Sequence, residues 1–186
     1  MGSWVELSGT RVKIICPGIG TQFKVHDGVT LSGFDEAGIS GDYIIRDCDV
    51  DYITITASVS SKVTITDDFT ISRKVPQMDF VCESNNRLWG CSSEKNEIYA
   101  SRLGDPTNFY AYEGISTDSF AVSVGSDGEF TACTPYRGYI LFFKENCVHK
   151  IYGQNPPYTV TTSYIRGVEK TSGKSLVTLN ETLYYK

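Results

Sequence analysis

Short runs of alternating apolar and polar residues, separated by turn-forming residues, fill almost the whole chain. In Tyr52–Thr56 apolar and polar side chains alternate, a pattern typical of a strand with one solvent-facing side. Asp27-Gly28 separates two such runs, and this dipeptide is a strong short-range signal for a hairpin. No helical pattern competes with these runs, so the sequence predicts an all-β fold.

The front of the chain, residues 1–75, predicts a small β-barrel or β-sandwich domain. Most of its strands are expected to pair with the next strand along the chain. The first strand is Arg11–Cys16, and the expected pairs are Gln22–Val25 with Val29–Ser32, Tyr43–Arg46 with Tyr52–Ala57, and Lys62–Thr66 with Phe69–Arg73. Pro76 then interrupts the pattern, so we expect a domain boundary near Val75–Gln77.

The remainder, residues 76–186, repeats loosely with a period of about 40 to 55 residues, as in four-stranded propeller blades. Each copy has a turn, an apolar-aromatic strand, a polar turn and a second strand. The copies are Asn86–Gly90 with Glu97–Ser101, Arg137–Phe143 with Val148–Gly153, and the opening of a third at Asn180–Tyr185. Further strands are expected at Ser119–Val124, Phe130–Thr134 and Tyr158–Tyr164.

This region therefore predicts about two blades and the start of a third. A closed propeller usually needs at least four blades, and a blade covers its apolar faces by stacking on neighbours. The sequence also ends within a predicted strand, at Leu183–Lys186. We therefore expect the N-terminal part of a longer protein, a shortened variant, or blades supplied by another chain.

Composition supports this interpretation and narrows the functional classes. The 186 residues include 12 Tyr, 9 Phe and 17 Gly, which suits strands and frequent turns. The net charge of −5 argues against a nucleic-acid binder. No signal peptide is expected, and no apolar stretch is long enough to span a bilayer. The six Cys form no CxxC pair, so we expect reduced, buried thiols in a reducing cytosol.

Three motifs could carry chemistry, and each favours a structural role. His26 and His149 lack an adjacent nucleophile arrangement. Gly167–Ser175 resembles a phosphate-binding loop, but it has five residues between its glycines instead of four and precedes a predicted strand. Asp47, Asp49 and Asp51 alternate as in a calcium loop, but the Gly and Glu of that loop are missing. No metal or cofactor is therefore expected.

Six carboxylates are candidates for glycoside cleavage, since some propellers are glycosidases and pairing depends on separation in space. They are Asp79, Glu83, Asp105, Asp118, Asp127 and Glu129. Acidic residues in turns are common, so no catalytic residue is predicted and the chain is expected not to be an enzyme. Gly104–Phe109 predicts a rigid turn, and the aromatic runs Tyr110–Tyr112 and Tyr139–Phe143 predict blade cores.

An ordered set of motifs resembles phage-encoded virion proteins with propeller-like repeats. The main set is Arg87–Trp89 followed by Ile98–Phe109, with Ile71–Phe80 and Leu141–Glu145 fitting the same group. The segment Phe23–Gly33 is similar to small β domains in tail proteins of phages and prophages of gut Firmicutes. The resemblance spans about residues 12 to 186 and brings no catalytic residues with it.

These observations predict a non-catalytic structural protein of a phage tail or neck, located in the virion and, during assembly, in the host cytoplasm. Its expected partners are other virion proteins or itself, without nucleic acid or membrane. One alternative is a carbohydrate-binding or glycan-cleaving tail component that acts on a cell-surface glycan. Another is a phage-encoded inhibitor that binds a host enzyme or defence protein.

Overall fold

The computed structural model describes residues 3–6, 10–35, 38–58, 63–64 and 69–186, with only the backbone described for 3–6 and 63–64. Its regular structure is all-β, which confirms the predicted fold class. The chain divides into two compact units, Met1–Val75 and Pro76–Lys186. Whether each unit folds as an independent domain remains a prediction.

The first unit consists of two antiparallel sheets. One has the strand order β5-β6-β2-β1-β7 and the other the order β4-β3-β8. The strands of the larger sheet are β1 Ser3–Glu6, β2 Arg11–Ile15, β5 Asp47–Asp49, β6 Tyr52–Thr56 and β7 Val63–Thr64. Those of the smaller sheet are β3 Gly28–Ser32, β4 Gly41–Ile44 and β8 Thr70–Arg73.

Both sheets of the first unit contribute to one mainly aliphatic core. Ile14 and Ile53 from the larger sheet and Leu31 from the smaller one are almost completely buried in this cluster. A 3-10 turn, Ile19–Thr21, contributes the buried Ile19 to it. Gly20 in that turn is required by space, because a Cβ there would lie 1.9 Å from the carbonyl oxygen of Asp49. Among the described residues the arrangement is a two-sheet sandwich and not a closed barrel.

Several expected details of the first unit are wrong. Gln22–Val25 is not a strand; it follows the 3-10 turn, and β3 pairs with β4 and β8 instead. Likewise β4 pairs with β3, while β6 pairs with β5 and β2. The partners expected to be adjacent, β7 and β8, belong to different sheets. The burial of one face of each sheet in a common core outweighs the local hairpin signals. The turn expected at Asp67-Asp68 lies outside the described residues.

The second unit contains two four-stranded antiparallel sheets in which each strand pairs with its neighbours in sequence. The first sheet comprises β9 Phe80–Ser84, β10 Arg87–Ser92, β11 Glu97–Ala100 and β12 Phe120–Ser123. The second comprises β13 Phe130–Tyr136, β14 Tyr139–Lys144, β15 Val148–Tyr152 and β16 Thr159–Ser163. The predicted pairs β10–β11 and β14–β15 are confirmed.

The two sheets of the second unit share an aromatic core. Trp89 and Phe120 of the first sheet and Phe142 of the second lie in one buried cluster. Tyr158 meets Trp89 edge-on, with 4.9 Å between the ring centroids. Meander sheets that bury a shared apolar face are the packing of propeller blades, as the repeat predicted.

A third element continues this stack. The hairpin of β17 Val177–Leu179 and β18 Thr182–Tyr184 follows a 3-10 turn at Gly173–Ser175. Leu183 packs against a smaller cluster that contains Phe143 and Val168. The described residues contain no α-helix, and none of their elements could cross a bilayer as a helix.

Candidate functional site

The strand directions of the second unit bring the connections between its sheets to one end. This end carries a small pocket of about 140 Å³ lined by Asp127, Glu129, Glu145 and Lys170, among others. Lys170 Nζ lies 2.6 Å from Glu129 Oε2, and its backbone N–H donates to Glu145 Oε1 at 3.0 Å. The hydrogen bond and charge of Glu129 raise the pKa of Lys170. The positive charge of Lys170 therefore neutralises part of the negative charge of the carboxylates that line this pocket.

Two of the six carboxylate candidates, Asp127 and Glu129, thus lie together, and sequence reasoning missed Glu145 beside them. Asp79 lines an adjoining cleft that shares Glu129 and Lys170, and it accepts the N–H of Ser93 at 2.6 Å. The structure places the other three candidates elsewhere. Glu83 and Asp105 accept turn N–H groups from Asn86 and Thr107, and Asp118 lies at the opposite end of the sheets.

A buried polar network joins the two sheets behind this pocket. Ser126 Oγ lies 2.8 Å from His149 Nε2, and Thr162 Oγ1 lies 2.9 Å from His149 Nδ1. Lys144 Nζ donates to Asn96 Oδ1 at 2.6 Å and to the carbonyl of Ser126 at 2.8 Å. Asn96 belongs to the turn between β10 and β11, so Lys144 of the second sheet is bonded to the first.

The pair Ser126–His149 has the spacing of a nucleophile and its base, and sequence reasoning did not find it. Two features favour a structural role. A hydroxyl, not a carboxylate, lies against the second ring nitrogen, and His149 is fully buried. Burial, followed by the charge of Lys144, lowers the pKa of His149 to about 4. His149 is therefore neutral near pH 7 and part of the packing between the sheets.

At the opposite end, one buried arginine organises the long loop between β11 and β12. The Arg87 guanidinium donates to the carbonyl oxygens of Ser101 at 2.7 Å, Ser116 at 2.9 Å and Asp118 at 2.5 Å. Burial lowers the pKa of Arg87. The distinctive Gly104–Phe109 segment is part of this loop, and Phe109 is buried, as expected of a structural turn.

The same loop forms one wall of a cleft of about 410 Å³. Asp118, Ser119 and Phe120 are its buried residues, while Tyr112 and Ile115 are exposed at its rim. Pro156 and Pro157, from the connection between β15 and β16, complete the lining. An apolar cleft with one buried carboxylate is the general form of a small-molecule site.

The two motifs with possible ligand chemistry in the sequence have ordinary structural roles. Asp51 Oδ1 accepts the N–H of Gly18, and Asp47 and Asp49 accept the N–H groups that follow them. Within the described ranges no group of three or more His, Cys, Asp or Glu side chains could hold a metal. Gly167–Ser175 is followed by strand β17, as expected. The six cysteines are unpaired thiols.

Comparison with known proteins gives little further information. No model of a known protein family matches the chain, and no curated protein matches it. Among solved structures it is similar to the phage phi92 endosialidase, with 13% identity and a TM-score of 0.29. The match covers 100% of this chain and 34% of the endosialidase chain. At this TM-score neither the fold nor the activity of that protein is transferred to this chain.

This comparison nevertheless corrects one expectation. The chain was expected not to be an enzyme, whereas the matched protein is an endosialidase by name. The prediction of a non-catalytic chain is therefore withdrawn.

Proposed function

We propose that this chain is a component of a bacteriophage tail and that it packs against a β-sheet of a neighbouring tail subunit. The phage assignment is supported by the ordered sequence motifs Arg87–Trp89 and Ile98–Phe109. The packing against a neighbouring subunit is supported by the exposed apolar face of the β17–β18 hairpin.

That outer face is the observation on which the proposal depends. Val177, Leu179 and Tyr184 lie on one side of the β17–β18 hairpin, since Val177 is paired with Tyr184 and side chains alternate along a strand. Their exposed fractions are 56%, 60% and 53%. Leu183, on the other side, packs against the second sheet. Contiguous exposed apolar patches of this kind mark protein interaction sites.

We expect a β-sheet to cover the outer face of the β17–β18 hairpin, because the other apolar sheet faces in the second unit are covered by sheets or by this hairpin. The first sheet packs on the second through Trp89 and Phe142, and the second packs on the hairpin through Phe143 and Leu183. A two-stranded hairpin alone is only marginally stable, so a further sheet on its outer face would stabilise it.

Particles of the phage that encodes the chain test this proposal directly. Immunoblotting of gradient-purified particles is expected to detect the chain. The double variant Val177→Lys, Leu179→Lys is expected to be incorporated far less well, because two charges would be buried against the partner. The matched control Thr159→Lys, on an exposed position of β16, is expected to be incorporated normally.

Absence of the chain from purified particles would overturn the proposal, and so would normal incorporation of the double variant. Circular dichroism of both variants checks that the sheets persist. Affinity purification from infected cells distinguishes the alternative of a host inhibitor, which predicts a host protein as the sole partner.

A further inference from the structure

Two cysteine thiols from different sheets of the second unit lie against one another. Cys82 belongs to β9, an edge strand of the first sheet, and Cys133 belongs to β13, an edge strand of the second. The two thiols are in hydrogen-bonding contact, and both side chains pack against the shared aromatic cluster. The two cysteines are far apart in the sequence and form no CxxC pair, so the contact arises only from the packing of the sheets.

The course of the two strands accounts for this contact. Both strands begin at the same cleft, which is lined by Phe80 of β9 and Thr131 of β13. From there the strands run beside one another, although they belong to different sheets. Cys82 follows two positions after Phe80, and Cys133 follows two positions after Thr131. Equal steps from the cleft therefore bring the two thiols to the same level.

This pair is also more accessible than the other cysteines of the second unit. Cys82 and Cys133 are partly exposed, whereas Cys91 and Cys147 are buried. An oxidant must reach a thiol before the thiol reacts, so buried cysteines are inert. A disulfide forms only between cysteines whose side chains already approach one another. Among the cysteines of this unit, Cys82 and Cys133 meet both conditions.

We propose that Cys82 and Cys133 are a site of disulfide formation that joins the two sheets of the second unit under oxidising conditions. The oxidant is a low-molecular-weight disulfide such as oxidised glutathione. One protein thiolate attacks it, breaks its S–S bond and releases a small thiol, which leaves a mixed disulfide on the protein. The other protein thiolate attacks the protein sulfur of that mixed disulfide and releases the second small thiol. Both cysteines are oxidised, and the two electrons and two protons that they lose are carried by the two small thiols.

The contact between the thiols decides which cysteine reacts first. The hydrogen bond with Cys82, followed by burial, raises the pKa of the Cys133 thiol, so Cys133 stays protonated. The first attack is therefore made by Cys82. The second attack, by Cys133, is intramolecular and is favoured by the proximity of the two sulfur atoms.

The chemistry of this site does not depend on the proposed packing surface of the β17–β18 hairpin. A tail component leaves the reducing cytosol when the host cell lyses, and disulfides persist in the oxidising surroundings outside. In a released tail the cross-link would hold β9 to β13, and so the first sheet to the second.

Oxidation of the purified, reduced chain with mixtures of reduced and oxidised glutathione tests the inference. After free thiols are alkylated, peptide mapping by mass spectrometry without reductant is expected to recover the Cys82 peptide joined to the Cys133 peptide. The cross-linked chain is expected to unfold roughly 10 °C higher than the reduced chain, because the disulfide restricts the unfolded state. Absence of this cross-link from the folded chain overturns the inference, as does Cys82 joined to Cys91 or to a second chain instead.

Serine variants test the order of attack, while the peptide map of the parent chain stands whether or not they fold. Cys133→Ser is expected to accumulate glutathione on Cys82, whereas Cys82→Ser is expected to leave Cys133 unmodified. Cys48→Ser, at a partly exposed cysteine of the first unit, is the matched control and is expected to form the cross-link as the parent does. Glutathione on Cys133 of the Cys82→Ser chain would overturn the assigned order, and loss of the cross-link in Cys48→Ser would overturn the assigned pair.

Discussion

The two units of the chain bury different kinds of side chain. In the first unit the core is mainly aliphatic, with Phe23 and Phe34 among its buried residues. The buried charged residue that the structure describes there is Asp27, paired with Arg73 at 2.6 Å. In the second unit Arg87, Lys144 and His149 are all buried, and each is bonded to the turns and loops that connect the strands. Apolar packing therefore dominates in the first unit, whereas hydrogen bonds made by the buried Arg87, Lys144 and neutral His149 side chains fix the connections of the second.

The largest effect is expected from removing the buried arginine of the second unit. Arg87→Met leaves the carbonyl oxygens of Ser101, Ser116 and Asp118 without their donor, at about 1–3 kcal/mol each, so the free energy of unfolding is expected to fall by about 3–5 kcal/mol. Urea denaturation followed by tryptophan fluorescence measures it, because Trp89 lies in this core. The control Arg137→Met, at an exposed arginine, is expected to change stability by less than about 0.5 kcal/mol.

The next effect concerns pH and again involves the second unit. Burial lowers the folded-state pKa of His149 to about 4, against about 6.5 in the unfolded chain. The unfolded state therefore binds the proton first, and stability is lost as pH falls from about 6.5 to about 4. The loss from this group is about 3 kcal/mol at about 1.4 kcal/mol per pKa unit.

The variant His149→Gln isolates this contribution, because glutamine does not titrate. Unfolding free energies measured between pH 7 and pH 4 are expected to fall less steeply for His149→Gln than for the parent chain. The parent chain, measured in parallel, supplies the reference slope. Equal slopes for the two proteins would show that His149 is not buried as a neutral ring.

The smallest effect is expected from the ion pair of the first unit. Arg73 donates to Asp27 Oδ2 at 2.6 Å and to the carbonyl of Gln22 at 2.5 Å, but its side chain is partly exposed. Arg73→Met is expected to lower stability by about 1–3 kcal/mol, since Asp27 keeps its bond from the Lys24 N–H. Hydrogen exchange should show the loss in residues 10–75 alone. A loss as large as that of Arg87→Met would contradict the contrast between the units.

The same contrast explains which parts of the fold were predictable. In the second unit the strands pair with their sequence neighbours, so the local patterns at Arg87–Ser92 and Glu97–Ala100 led to the correct hairpin. In the first unit β2 pairs with β6, and β3 pairs with β8, about 40 residues apart. Local turn signals carry no information on such pairs, and the hairpin expected at Asp27-Gly28 was wrong.

The candidate sites depend on contacts that local patterns do not reveal. Ser126 and His149 meet because two sheets stack, and nothing in the 22 residues between them indicates the contact. Asp118 was correctly included among the candidate carboxylates, but its cleft forms only where the loop after β11 meets Pro156 and Pro157. Glu145 was overlooked because it lies in a short polar turn, where acidic residues are common.

The even number of strands in each four-stranded sheet has a consequence for how this molecule can diversify. In the second unit, each connection from one sheet to the next lies at the end that carries the pocket of Glu129 and Lys170. The opposite end holds only loops that return to the sheet they left, such as residues 101–119 and 153–158. The exposed stretches of those loops can lengthen, shorten or be exchanged while Tyr158, which packs on Trp89 in the shared core, is kept. Recognition can then change at one end while the stacked scaffold stays constant.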